Sequence, residues 1–176
     1  MLMTLLQVME IVVLVATGGY IGYQTQGHFS LTRSQHYIER FNSGEMRKLR
    51  TRVNNWIERG QPLDKIFPEK PPLDDESQLD LEALRLFSNF FQELGTAYKY
   101  RTVSRAYIWD VFGQIILRYG EDLAAFISEY RIHVNRKGLY IDFECLIEDI
   151  QKMDKKKQKA MRNTTWFSDH RHDKND

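Results

Sequence analysis

Apolar residues fall into two patterns along this chain, and the first is a continuous run at the N-terminus. Residues 2–23 read LMTLLQVMEIVVLVATGGYIGY, without a Lys or Arg. At about 1.5 Å per residue such a run is long enough to cross a hydrocarbon core roughly 30 Å thick. It also lacks the polar face of a soluble amphipathic helix. A transmembrane helix is therefore expected here. Gln7 and Glu10 interrupt the run in its first half, and Tyr20 and Tyr23 suit an interface at its other end. A secretory signal is disfavoured, because residues 1–10 offer no basic side chain and Ala16-Thr17-Gly18 only loosely resembles a cleavage site.

The second pattern is a series of stripes at helical spacing. After a polar stretch over 24–30, Ile38 and Phe41 lead to Asn42-Ser43-Gly44, and Met46, Leu49, Val53 and Trp56 then recur every three or four residues. Gly60 and Pro62 stop that helix, and three prolines (Pro68, Pro71, Pro72) mark a loop with one short turn around residues 63–67. Leu81, Leu84, Phe87, Phe91, Leu94 and Tyr98 form the clearest stripe, with Asp74, Asp75 and Glu76 at its positive end. Ser104 is an expected N-cap for a helix carrying Ile108, Val111, Phe112, Ile115, Ile116 and Tyr119, which Gly120 is expected to bend or break. Leu123, Phe126, Ile127 and Tyr130 continue to Gly138, and Phe143, Leu146, Ile147, Ile150 and Met153 form a last stripe. No useful run of alternating period appears, so the expected fold is all-α: an N-terminal transmembrane helix followed by a bundle of four to five helices. The expected organisation is a transmembrane helix over 1–24, a juxtamembrane helical region over 25–60 and a Pro-containing loop over 61–75. A bundle core over 76–154 and a polar, disordered tail over 155–176 complete it.

Charge changes this picture in one respect. The net charge of +1 gives no bulk electrostatic reason to expect a nucleic acid. Its distribution is uneven, because Arg33, Arg40, Arg47, Lys48, Arg50 and Arg52 all follow the apolar run. The positive-inside rule then places the N-terminus outside and the helical domain in the cytoplasm, as a single-pass protein of the cell inner membrane. A lone Cys145 excludes an internal disulfide and a cysteine-based zinc site.

Candidate chemistry is sparse. Gly18 and Gly22 form a small-xxx-small pair that would let two helices approach, so a homo-oligomer through the membrane helix is one expectation. Arg47, Lys48, Arg50 and Arg52 form a basic cluster able to meet anionic lipid headgroups. Lys155, Lys156, Lys157 and Lys159 form a second, but basic residues favour helix C-termini in any case. Asn89 and Glu93 share a helix face, and Arg118 or Arg131 could pair with Glu93, either as a polar pocket or as an ion pair fixing helix register. Asp169-His170-Arg171-His172-Asp173 is rich in ligand atoms but lacks a scaffold to hold a metal. No glycine-rich phosphate loop or nucleophile elbow occurs, and neither a cofactor nor a metal is called for.

Several short motifs carry a family resemblance. Phe41-Asn42-Ser43-Gly44-Glu45-Met46-Arg47, Asn89-Phe90-Phe91-Gln92-Glu93-Leu94, Val111-Phe112-Gly113 and Arg118-Tyr119 resemble an uncharacterised bacterial family, domain of unknown function 4760. The resemblance covers residues 35–131 and matches at Asn42, Glu45, Arg47, Asn89, Phe91, Glu93, Gly113 and Tyr119. It implies a membrane helix followed by a short helical domain, and no activity. The leading expectation is thus a membrane-anchored interaction or regulatory module, with an unidentified protein partner and a self-associating anchor. An enzyme or membrane-acting effector with a pocket around Glu93 is the alternative, though no catalytic motif supports it. Binding of anionic lipid or nucleic acid through the basic cluster is a third.

Overall fold

The computed structural model describes the backbone of residues 2–68 and 73–169, and the side chains of 12–21, 24–25, 27–68 and 73–161. Its elements are α1 (Leu2–Asn42), α2 (Gly44–Glu58), α3 (Leu63–Ile66), α4 (Asp75–Lys99), α5 (Arg105–Asp122), α6 (Ala124–His133) and α7 (Ile141–Asp169). No strand occurs among the described residues.

Helix starts follow side-chain capping. Ser43, Asp74 and Ser104 each place an oxygen on the backbone N–H three residues ahead, at 3.2, 2.7 and 3.4 Å. These satisfy donors that the first helical turn leaves without partners. The start of α7 is tied down differently: Gln92 on α4 accepts from the Phe143 N–H at 3.1 Å.

α4 is the central element, packed against α2 on one side and α7 on another, while α5 packs on α7. Closeness to α7 requires Gly95, where a Cβ would lie 2.3 Å from the Asp142 carbonyl oxygen. Gly120 has a similar place on α5, against Ile147. α5 continues through Gly120 to Asp122 and the break falls at Leu123, between α5 and α6; the missing side chain at Gly120 serves interhelical packing.

The core is aromatic. Phe41 of α1 meets Phe112 of α5 edge-on at 5.3 Å, and Phe91 of α4 stacks on Phe143 of α7 at 4.9 Å. Phe87, Phe90 and Tyr119 complete this cluster, and Trp56, Phe67, Phe126 and Tyr130 form its continuation toward α3 and α6.

α1 runs unbroken through the polar stretch over 24–30, where hydroxyls turn back onto the helix's own carbonyls: Thr25 donates to Ile21 at 2.7 Å and Ser30 to Gly27 at 2.9 Å. The expected transmembrane helix is corrected. Among the described residues no helix is long and apolar enough to cross a membrane. The described apolar part, over 12–21, spans about 15 Å, roughly half a hydrocarbon core. Gln24, Thr25, His28, Ser30 and Arg33 then follow on the same helix. Residues 2–11, on which the expectation also rested, have side chains outside the described set, and so have Gly22 and Tyr23. The orientation read from the basic residues depended on that span. At the other terminus, the tail expected to be disordered from Lys155 is helical to Asp169.

Candidate functional site

The polar residues singled out by sequence separate into distinct pairs. Glu93 is half-exposed on α4 and forms an ion pair with Arg40 of α1. The Arg40 guanidinium also lies 5.5 Å from the centre of the Phe90 ring. Arg118 instead faces Asp122 one turn along α5 at 3.6 Å. Arg131 donates two parallel hydrogen bonds to Glu144 of α7, both 2.8 Å, and a third to the Leu139 carbonyl at 2.7 Å. The expected pairing of Glu93 with Arg118 or Arg131 is therefore replaced by three local locks. Asn89 is half-buried one turn before Glu93.

The basic cluster of α2 also divides. Arg50 lies over the Phe41 ring at 4.6 Å, and Arg52 reaches Asp80 of α4 at 2.7 Å. Arg47 donates to the Asn42 carbonyl at 3.4 Å, and Lys48 is exposed. Of the four charges, Arg52 thus serves the α2–α4 packing and Arg50 the contact of α2 with α1. Asp80 is the most deeply buried carboxylate of this region, 4% exposed, and Arg59 clamps its other oxygen at 2.5 Å. The Arg52 contact is a close charge pair without hydrogen-bond alignment. Breaking such a pair from one side leaves a buried charge uncompensated.

A further charged lock joins α4 to the start of α7. Asp142 accepts from Lys99 and Thr96, both at 2.8 Å. Those hydrogen bonds hold its carboxyl below the usual carboxylate range and raise the Lys99 ammonium above its own.

A concave region lies where α1 leaves the bundle. A cavity of about 380 Å³ is lined by Tyr37, Gln92, Glu93, Thr96, Ala97 and Tyr100. Burial raises the Tyr37 phenol, and the nearby Glu93 adds to the effect while Arg40 and Arg33 oppose it. Through Tyr100 and Thr102 this cavity adjoins a second of about 510 Å³, which α1 walls with Thr25, Phe29 and Arg33. Sequence reasoning found Glu93 but missed this junction. Its residues come from two segments about seventy positions apart, joined by the Ser104 N–H donating to Ser34 at 2.9 Å.

Beyond the junction α1 continues as an arm. Val12, Val13, Leu14 and Val15 are each between 59% and 71% exposed. Four consecutive helical positions look out on every side, so no face of this turn rests on the bundle. Gly18, expected to mediate helix association, has no atom within 4 Å of where its Cβ would stand. Its expected companion Gly22 lies outside the described side chains. Among the described residues no group of three or more His, Cys, Asp or Glu is gathered as metal ligands would be. The histidine-rich tail motif falls outside the described side chains.

The family model described as Domain of unknown function (DUF4760) matches residues 4–150, and the chain belongs to that family. The match extends beyond residues 35–131 in both directions and takes in the arm and most of the bundle. No curated protein and no solved structure matches the chain.

Proposed function

We propose that this member of the family is a helical interaction module that self-associates through the arm of α1. The supporting observation is the exposure of Val12, Val13, Leu14 and Val15 on an extended helix. A helix apolar on all sides is stable only when something covers it, and contiguous exposed apolar surface marks an interaction site.

A second copy of the same arm is the partner that fits. Residues 11–32 contain no Asp, Glu, Lys or Arg, so two arms meet without like-charge repulsion. Leu14, Gly18, Ile21 and Thr25 follow one another at spacings of four, three and four, the repeat that pairs helices along a seam. Thr25 spends its hydroxyl proton on the Ile21 carbonyl, so pairing would leave no donor stranded there. The bundle, with its charged locks, is carried alongside.

Sedimentation of the full chain, compared with Leu14→Glu/Ile21→Glu, tests this reading. An oligomer that becomes a monomer in the double variant, with helicity of the bundle retained, is the expected result. A wild-type monomer at micromolar concentration, or an oligomer indifferent to the two charges, refutes it.

A further inference from the structure

The junction between the arm and the bundle carries two arginines without partners. Arg40, Arg52, Arg59, Arg118 and Arg131 each hold a carboxylate. Arg50 and Arg105 lie over aromatic rings at 4.6 and 4.7 Å. The side chains of Arg33 and Arg101 have no ion pair, hydrogen bond or ring contact among the described residues, yet they line the same 510 Å³ cavity from different walls.

The backbone beneath one of them is strained. Arg101 has φ +55°, a left-handed conformation that glycine or asparagine would adopt more readily. It stands directly after the α4 C-cap, where the Thr102 N–H closes on the Ala97 carbonyl at 2.9 Å. A glycine would make that turn more easily, so the turn itself does not require an arginine. Gln61, Asn135 and Tyr140 share that conformation away from this cavity, so it is the pairing of Arg101 with Arg33 that marks the site.

The cavity also has apolar shoulders. Phe29 and Tyr100 are 66% and 68% exposed, with the Lys99 ammonium 5.7 Å from the centre of the Tyr100 ring. The hydroxyls of Thr25, Ser30 and Thr102 donate to backbone carbonyls at 2.7, 2.9 and 3.2 Å, which leaves the two guanidiniums and the Tyr100 hydroxyl as the side-chain donors facing the cavity. Glu93, the carboxylate lining the adjoining cavity, is neutralised by Arg40. The volume is of the size that holds a small ligand.

We propose that this cavity binds a phosphate ester, with Arg33 and Arg101 gripping the phosphoryl oxygens and Phe29 and Tyr100 flanking the organic part. Planar guanidinium forks match phosphate oxygens in pairs, and two on separate walls reach different oxygens of one tetrahedral group. A free ester and a lipid headgroup present the same chemistry. The seam proposed for arm pairing meets this site at Thr25, whereas Arg33 and Arg101 lie beyond it.

Calorimetric titration of the full chain with phenyl phosphate addresses the free ester. Flotation with vesicles of phosphatidylcholine, alone or mixed with phosphatidylglycerol, addresses the headgroup. Arg33→Ala and Arg101→Gly should each weaken whichever binding occurs by about tenfold or more, as loss of a charge-assisted contact does. Arg136→Ala, which removes an equally exposed charge far along the chain, should leave it unchanged. Arg101→Gly also relieves the left-handed strain, so its melting temperature should hold or rise while binding falls, which separates lost contact from lost fold. Binding of phenyl phosphate assigns the free ester, and binding only to the phosphatidylglycerol vesicles assigns the headgroup. No binding in either arm overturns the proposal, as does binding that survives both variants or falls equally in Arg136→Ala.

Discussion

Phe29 and Phe41 stand on the same unbroken helix, one 66% exposed and the other 5%. The half of α1 that ends at Asn42 is held by Tyr37 and Phe41 against Phe90, by Ser34 against the start of α5, and by Arg40 against Glu93. Among the described residues, the half before Arg33 has no hydrogen bond, ion pair or ring contact with the bundle. Backbone hydrogen bonds within the chain's own turns build helix in both. Only tertiary contact distinguishes docked from free, and hydrophobicity alone would have ranked the free half as the more deeply buried.

Replacing each phenylalanine by alanine should break this comparison open most widely. Phe41→Ala removes a ring packed against Phe90, Phe91 and Phe112, and should cost about 3–5 kcal/mol in denaturant unfolding. Phe29→Ala should stay within about 0.5 kcal/mol, as exposed substitutions do. Equal losses would mean that the arm is packed in solution against something within the same chain.

Within the docked region the next effect is steric. Gly95→Ala places a methyl 2.3 Å from the Asp142 carbonyl oxygen, which belongs to backbone and cannot swing aside. α4 and α7 must separate, and a loss of about 2–3 kcal/mol or more is expected from overpacking. Urea midpoints of the variant and wild type measure it. A neutral result would refute the close crossing on which the whole α4–α7 arrangement depends.

Ser34→Ala probes the boundary between the two halves. Ser34 is fully buried, donates to the Ser30 carbonyl at 2.7 Å and accepts from Ser104. Its loss strands the Ser104 N–H and should cost about 1–3 kcal/mol. Hydrogen exchange at Ser104 should accelerate in the variant; an unchanged rate would show that the arm's root is held by other contacts.

Much of this bundle was legible in sequence, and the exceptions share a cause. The stripe containing Leu84, Phe87, Phe91, Leu94 and Tyr98 is buried as its period required, and Ser104 caps α5 as expected. Phe90 and Gly95, off that stripe, are buried too, because α4 is covered by α1, α2 and α7 at once, whereas a single period describes one face. Ion pairs were less legible. Arg40 and Glu93 are separated by more than fifty positions, and nothing in either neighbourhood states which partner each will meet. Turn chemistry also departed from rule, since the positive φ that ends α6 falls on Asn135 rather than Gly138, and Gln61, Arg101 and Tyr140 adopt it too. The N-terminal run was read from composition alone, which weighs apolar length and not the polar turns that follow on the same helix.

Acid should distinguish the regions without any substitution. Asp142 is a carboxylate with a folded-state pKa below its unfolded value, so its contribution is present above about pH 4 and lost as pH falls through the folded value. Lys99 has the opposite sign: its contribution is present below about pH 10 and lost as pH rises through the folded value. Asp142→Asn should flatten the acid limb of a stability profile taken by denaturant titration. The arm has no Asp or Glu over residues 11–32, so below about pH 5, where carboxylates titrate, its association should fall only as far as the bundle unfolds. Dissociation ahead of bundle unfolding in that range would place a carboxylate in the interface.

Gly18→Ala should have the smallest effect on folding, and its sign carries the information. Alanine exceeds glycine in helix propensity by up to about 1 kcal/mol, and at Gly18 the added methyl meets no atom of this chain. A solitary arm should therefore gain helicity, the reverse of the outcome at Gly95, where the same change drives two helices apart. If arms pair along Leu14, Gly18 and Ile21, the methyl instead enters the seam and holds the backbones further apart. Helicity measured at low concentration should then rise while association measured at high concentration falls. A rise in both would leave the arm helical but move the contact to another of its faces.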